Sequence, residues 1–142
     1  MIVGIVGSEA AKFTFDKMQE AKCLIAQLLQ QPGVTGYCSG HCHLGGIDIW
    51  TEQIGDALKL KPYIRAPKQL NWSNGYKPRN IEIAETSDEL HNITLKELPP
   101  DFKGMRFDYC YHCHTNAHVK SGGCWTAHYA LRLGKPAIWH IL

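Results

Sequence analysis

One short stretch concentrates the residues most able to do chemistry. Cys110-x2-Cys113-x4-His118-x5-Cys124 supplies three thiolates and an imidazole, a donor set that tetrahedral zinc takes in structural sites, where no position is left open for catalysis. The spacing therefore predicts a closed zinc site on Cys110, Cys113, His118 and Cys124. His112 and His114 flank the pattern, and His114 is the alternative to His118 as fourth ligand. A second group, Cys38-Ser39-Gly40-His41-Cys42-His43, carries two more thiols and two more imidazoles. Its plain reading is a partly buried Cys38 at a strand end with exposed histidines beyond it. The other reading gives Cys42 or His43 to the same metal or to a second one. The plain reading is preferred, because two ligands without two further partners do not make a site.

Three glycine loops carry a different chemistry: Gly7-Ser8, Ser39-Gly40 and Ser121-Gly122-Gly123. Glycine lets a backbone come close to an anion, and N–H groups at a helix start then face it with a favourable dipole. Between the loops lies Gly75-Tyr76-Lys77-Pro78-Arg79-Asn80, which puts a planar, permanently charged guanidinium at a helix start, suited to phosphate or carboxylate. Trp72 sits in a polar loop just before Arg79, where its ring could cover a nucleobase or pack in the core. Trp125 follows Cys124 and could pack against the zinc loop or a ligand, whereas Trp50 falls on an apolar helix face and is expected in the core.

The elements that must position these residues follow an alternating pattern. Met1 to Val6 is an apolar run rich in Ile and Val, read as a buried strand. Met18, Ala21, Ile25, Leu28 and Leu29 recur at helical spacing until Gln31-Pro32-Gly33 ends the pattern. Val34 to Cys38 reads as a second strand, and Ile47, Trp50, Ile54, Ala57 and Leu58 mark a second helix. A third strand is expected over Tyr63 to Ala66, and a short helix over Pro78 to Glu85 with its proline near the first turn. A fourth strand covers Glu89 to Leu95, a last helix about Gly123 to Leu133, and a fifth strand Ala137 to Ile141. Residues 96–120, with Pro99-Pro100 and Gly104, read as an inserted zinc loop in a single domain spanning residues 1–142. The alternation predicts an α/β Rossmann-like three-layer fold with a mostly parallel sheet of about five strands, whose ligands bind at the strands' carboxyl ends.

Composition narrows the function classes. With 44% hydrophobic residues, four Trp and 20% charged residues, the chain is not disordered. A formal charge of +2 without a basic run disfavours non-specific binding to nucleic acid. No signal-peptide pattern opens the chain and no apolar run approaches the ~20 residues of a membrane span. The expectation is a cytoplasmic protein with no membrane partner, in a reducing compartment where cysteines spaced as Cys38-x3-Cys42 and Cys110-x2-Cys113 suggest metal ligands or redox thiols more than disulfides. Cys23, within the first helical pattern, is expected to be a small buried apolar group.

Taken in order, Val6-Gly7-Ser8, Cys38-Ser39-Gly40 leading to Gly46-Ile47-Asp48, Pro78-Arg79-Asn80 with Ser87-Asp88, and Ser121-Gly122-Gly123 with Thr126 and Gly134-Lys135-Pro136 resemble the SLOG superfamily. That superfamily unites the DNA-processing protein DprA, the cytokinin-activating LOG enzymes and small nucleotide-binding relatives. The resemblance spans nearly the whole chain outside 96–120. It implies a nucleotide-like ligand held by Gly7, Ser8, Ser39, Gly40, Arg79, Asn80, Ser121, Gly122, Gly123 and Thr126. LOG-like members carry a Gly-Gly-x-Gly-Thr loop followed closely by a Glu; here Trp125 replaces a glycine, and Ala127-His128-Tyr129 offers no carboxylate. Asp48 and Glu52 are the substitute acids, although Asp48 reads as a helix-start residue stabilised by the dipole and Glu52 as a solvated helix position. The leading expectation is a nucleotide-binding protein with structural zinc. A nucleotide-processing enzyme of the N-glycosidase or phosphoribohydrolase type is the alternative, and single-stranded nucleic-acid binding the second. A homo-oligomer is compatible with all three.

Overall fold

The computed structural model describes all 142 residues. Along the chain run β1 (Ile2–Gly7), α1 (Phe15–Leu29), β2 (Gly36–Ser39), α2 (Ile47–Ala57), β3 (Lys61–Ile64), α3 (Lys77–Thr86), β4 (Glu89–Thr94), α4 (Gly122–Arg132) and β5 (Ala137–Ile141). The five strands form one all-parallel sheet in the order β3-β2-β1-β4-β5. The chain enters at β1, steps outward through β2 to β3, then crosses back to β4 and β5. Strand order thus reverses between β1 and β4, where α/β sheets of this kind open a ligand crevice.

The two-residue period of β1 sends its side chains into two cores. Val3 and Ile5 pack with Ala21, Ile25, Leu28 and Leu29 of α1 and with Ile47 and Trp50 of α2. Val6 faces the other way, onto Ile83 and Ala84 of α3 and Ala127 and Ala130 of α4. Helices on both faces of a parallel sheet give the three-layer Rossmann-like architecture expected from the alternation. Thr14 caps α1 by accepting the Lys17 N–H at 3.2 Å. The carboxyl end of α3 is closed from afar, because the Lys135 ammonium donates to the carbonyls of Ala84 (2.9 Å), Glu85 and Ser87 (2.7 Å).

Three local expectations are corrected. Cys23 is exposed, since it lies two positions from Ala21, about 200° around the helix from the buried stripe. β3 starts at Lys61 rather than Tyr63, because this edge strand is largely exposed and shows no apolar run. The polar loop before Arg79 contains a π-helical turn, Trp72–Tyr76, capped by the Asn71 carboxamide on the Asn74 N–H at 2.8 Å. Between β4 and α4 there is no helix or strand, only the antiparallel bridge of Cys110 with Thr115. This segment has a small core of its own, Leu95, Leu98 and Val119. No helix is long and apolar enough to cross a membrane.

Candidate metal centre and adjoining cleft

The ligand atoms of Cys110, Cys113, His118 and Cys124 lie within 4.8 Å of one another. Paired backbone bonds, Cys110 N–H to Thr115 O (2.9 Å) and Thr115 N–H to Cys110 O (3.2 Å), fold the chain back on itself and hold the first two thiols in one turn. His114 takes the left-handed conformation of that turn (φ 55°) and is not one of the four clustered groups. His118 is buried, and its Nδ1 lies 2.9 Å from the Val119 carbonyl. Donation to that carbonyl leaves Nε2 as the lone-pair nitrogen, the arrangement that orients a metal-binding imidazole. Cys124 enters from the first turn of α4, where the Asn92 amide of β4 donates to its sulfur at 3.2 Å.

The protonation tendencies fit a cation-binding cluster. Burial pushes the Cys113 thiol up to about 12, helped by the neighbouring Cys124 and Cys110 thiols, and burial likewise raises Cys124. Burial also works against the Cys110 thiolate, but N–H groups of Cys113, His112 and Ser121 outweigh it and lower that thiol. Crowded thiols resist ionising next to one another, and a bound cation reverses that preference. Residues around the cluster escaped the sequence reading. His128 places Nε2 3.3 Å from the Cys113 sulfur, and the buried indole N–H of Trp139 has no partner in ordinary hydrogen-bond geometry, yet its field favours a Cys124 thiolate. The Cys124-x3-His128 spacing, one helical turn, was the available signal for His128.

The second cysteine group does not join a metal cluster: no set of three or more candidate ligands includes Cys38, His41, Cys42 or His43. Burial raises Cys38 to about 11. His41 Nδ1 sits 2.8 Å from Glu52, and the Cys42 N–H donates to Asp48 at 3.1 Å. Glu52 is buried rather than solvated, because its second oxygen accepts the Ser39 hydroxyl at 3.0 Å. The loop after β2 folds over it.

A cleft of about 490 Å³ opens beside the metal cluster, at the carboxyl end of β1. Gly7 and Ser8 line it from the end of β1 and the residue after it, Ser121, Gly122, Gly123 and Thr126 from the cap and first turns of α4, and Arg79 and Asn80 from α3. Ser39 and Gly40, expected in the ligand site, do not line the cleft: the Ser39 hydroxyl shares its one proton between Glu52 and the Asp48 carbonyl, each 3.0 Å away, and the Gly40 carbonyl accepts from Arg79. Arg79 is further fixed by Nε donating to Asn80 at 2.8 Å, with Asp48 3.9 Å away. Gly123 is required by space, since a Cβ there would meet the Asn92 Oδ1 at 2.4 Å and the Gly7 nitrogen at 3.1 Å. Lys12 and Lys120 add two ammonium groups, and burial lowers the Lys12 amine despite nearby Glu9.

Asp48 also lines the cleft, and burial pushes its carboxyl up to about 6 against the pull of Arg79. Part of the remaining lining is aromatic. Trp72 meets Trp125 edge-on at 5.1 Å, and Trp125 stacks on Tyr129 at 5.4 Å. No protein-family model, curated protein or solved structure matches the chain.

Proposed function

We propose that the protein binds a nucleotide or phosphorylated nucleoside in this cleft, next to a structural zinc ion held by Cys110, Cys113, His118 and Cys124. The reading rests above all on one convergence: two glycine loops, the second of them the start of α4, and the cations Arg79, Lys12 and Lys120 meet exposed Trp72 in a single cleft. Backbone and cations suit a phosphate, and the indoles suit a base, since stacking needs only a π-face. The ordered motifs that resemble the SLOG superfamily support the same ligand class. For the metal, three thiolates and one imidazole in a compact cluster are a structural zinc set, and the crowding of three thiols favours a divalent cation among them.

Calorimetry with a panel of nucleoside mono-, di- and triphosphates tests the ligand. Binding is expected, and Arg79→Ala should weaken it by about tenfold to a hundredfold, the worth of a charge-assisted hydrogen bond. No binding across the panel, or binding indifferent to Arg79, would reject the reading.

A further inference from the structure

The metal turn contributes side chains to the cleft as well as ligands to the cluster. Between Cys110 and Cys113 stand only Tyr111 and His112, and both line the cleft. Their rings lie 4.5 Å apart at a tilt of 47°, and Tyr111 meets Phe107 edge-on at 6.2 Å. Lys120, also lining the cleft, holds its ammonium 5.7 Å from the Tyr111 ring. Tyr111 is 49% exposed and lines the cleft, so its ring is within reach of a bound ligand. The phenol is anchored at its backbone by the bridge of Cys110 with Thr115 and at its ring by Phe107 and Lys120.

We propose that this dipeptide is a base-recognition element: Tyr111 and His112 stack with the heterocycle of the bound nucleotide, and the metal, without touching the ligand, fixes their positions. The inference rests on the nucleotide-binding reading and assigns the base-facing part of that site. Two observations carry it. The aromatic lining has two sources, Trp72 and Trp125 from the turn before α3 and from α4, and Tyr111 with His112 from the metal turn. The cationic groups Arg79, Lys12 and Lys120 share the same cleft, so one ligand can engage phosphate and ring groups together. A turn with two ligands separated by two residues has little freedom once metal is bound, so rings displayed on it are preorganised at low entropic cost.

The test compares a base-bearing probe, AMP, with a base-free one, ribose 5-phosphate, on the metal-loaded protein. Tyr111→Ala should weaken AMP binding by about tenfold or more, the scale of one lost base–aromatic contact, and leave ribose 5-phosphate affinity unchanged. Tyr111→Phe keeps the ring and should bind AMP as the parent does, and His112→Ala should repeat the selective loss. Equal loss for both probes, or no loss for AMP, overturns the assignment while the phosphate-binding reading stands. A parent protein that binds neither probe, nor any member of the nucleoside phosphate panel, rejects both.

Discussion

Asp48 shows how a residue's chemistry departs from its sequence context. A carboxylate in the first turn of a helix is ordinarily stabilised by the dipole, yet burial dominates here and raises its carboxyl to about 6 from 3.8. The folded protein therefore binds the extra proton between those values, and stability should fall as pH rises from about 4 to about 6, then level off. Asp48→Asn should flatten that slope in urea unfolding measured across this range, by about 3 kcal/mol at most. A slope unchanged in the variant would show that Asp48 ionises freely in the fold. Glu52, one turn later, was legible as an acid but not as a buried one. The cause is non-local, since Ser39 at the end of β2 and His41 in the loop after it come to cover it. Cys23 erred the other way, because small apolar character says nothing about which side of a helix a residue occupies.

Elements were more legible than residues. Each strand and helix announced itself through apolar period or through a Gly or Pro stop; β2 starts two residues later than expected, at Gly36, and β3 two residues earlier, its exposed Lys61-Pro62 start giving no pattern to read. The glycines in α4 show what sequence cannot separate. Gly122 and Gly123 are identical neighbours, but a Cβ at Gly122 meets nothing within 4 Å whereas one at Gly123 drives into Asn92. Gly122→Ala should be neutral or stabilise the fold by a few tenths of a kcal/mol, since alanine is the better helix former. Gly123→Ala should cost about 1–3 kcal/mol of unfolding free energy as an overpacked site. Matched chemical-denaturation curves check both, and equal effects would mean the start of α4 is looser than its contacts imply. The π-helical turn at Trp72–Tyr76 had no sequence signature that the periodic templates could match, although it holds one of the indoles at the cleft.

At the scale of the whole molecule, the candidate metal cluster and the cleft share one piece of chain. Cys110 and Cys113 bracket Tyr111 and His112, while Cys124 follows Gly123 and precedes Trp125, so the cluster pins two strips of the cleft lining at once. The two large cores contain none of the four clustered ligands, so the sheet and its helices have their own source of stability. Stripping metal with a chelator should therefore lower the Tm and open the segment 96–120 to protease, while far-UV circular dichroism keeps its α/β form. On the proposed nucleotide-binding reading, affinity for the nucleotide should fall in the metal-free protein, and linkage then requires the nucleotide to tighten metal binding by the same factor. Titrating zinc into stripped protein with and without nucleotide measures that factor directly. Equal zinc affinities in the two titrations would separate the cluster from the cleft, leaving the metal a fastener of the inserted segment alone.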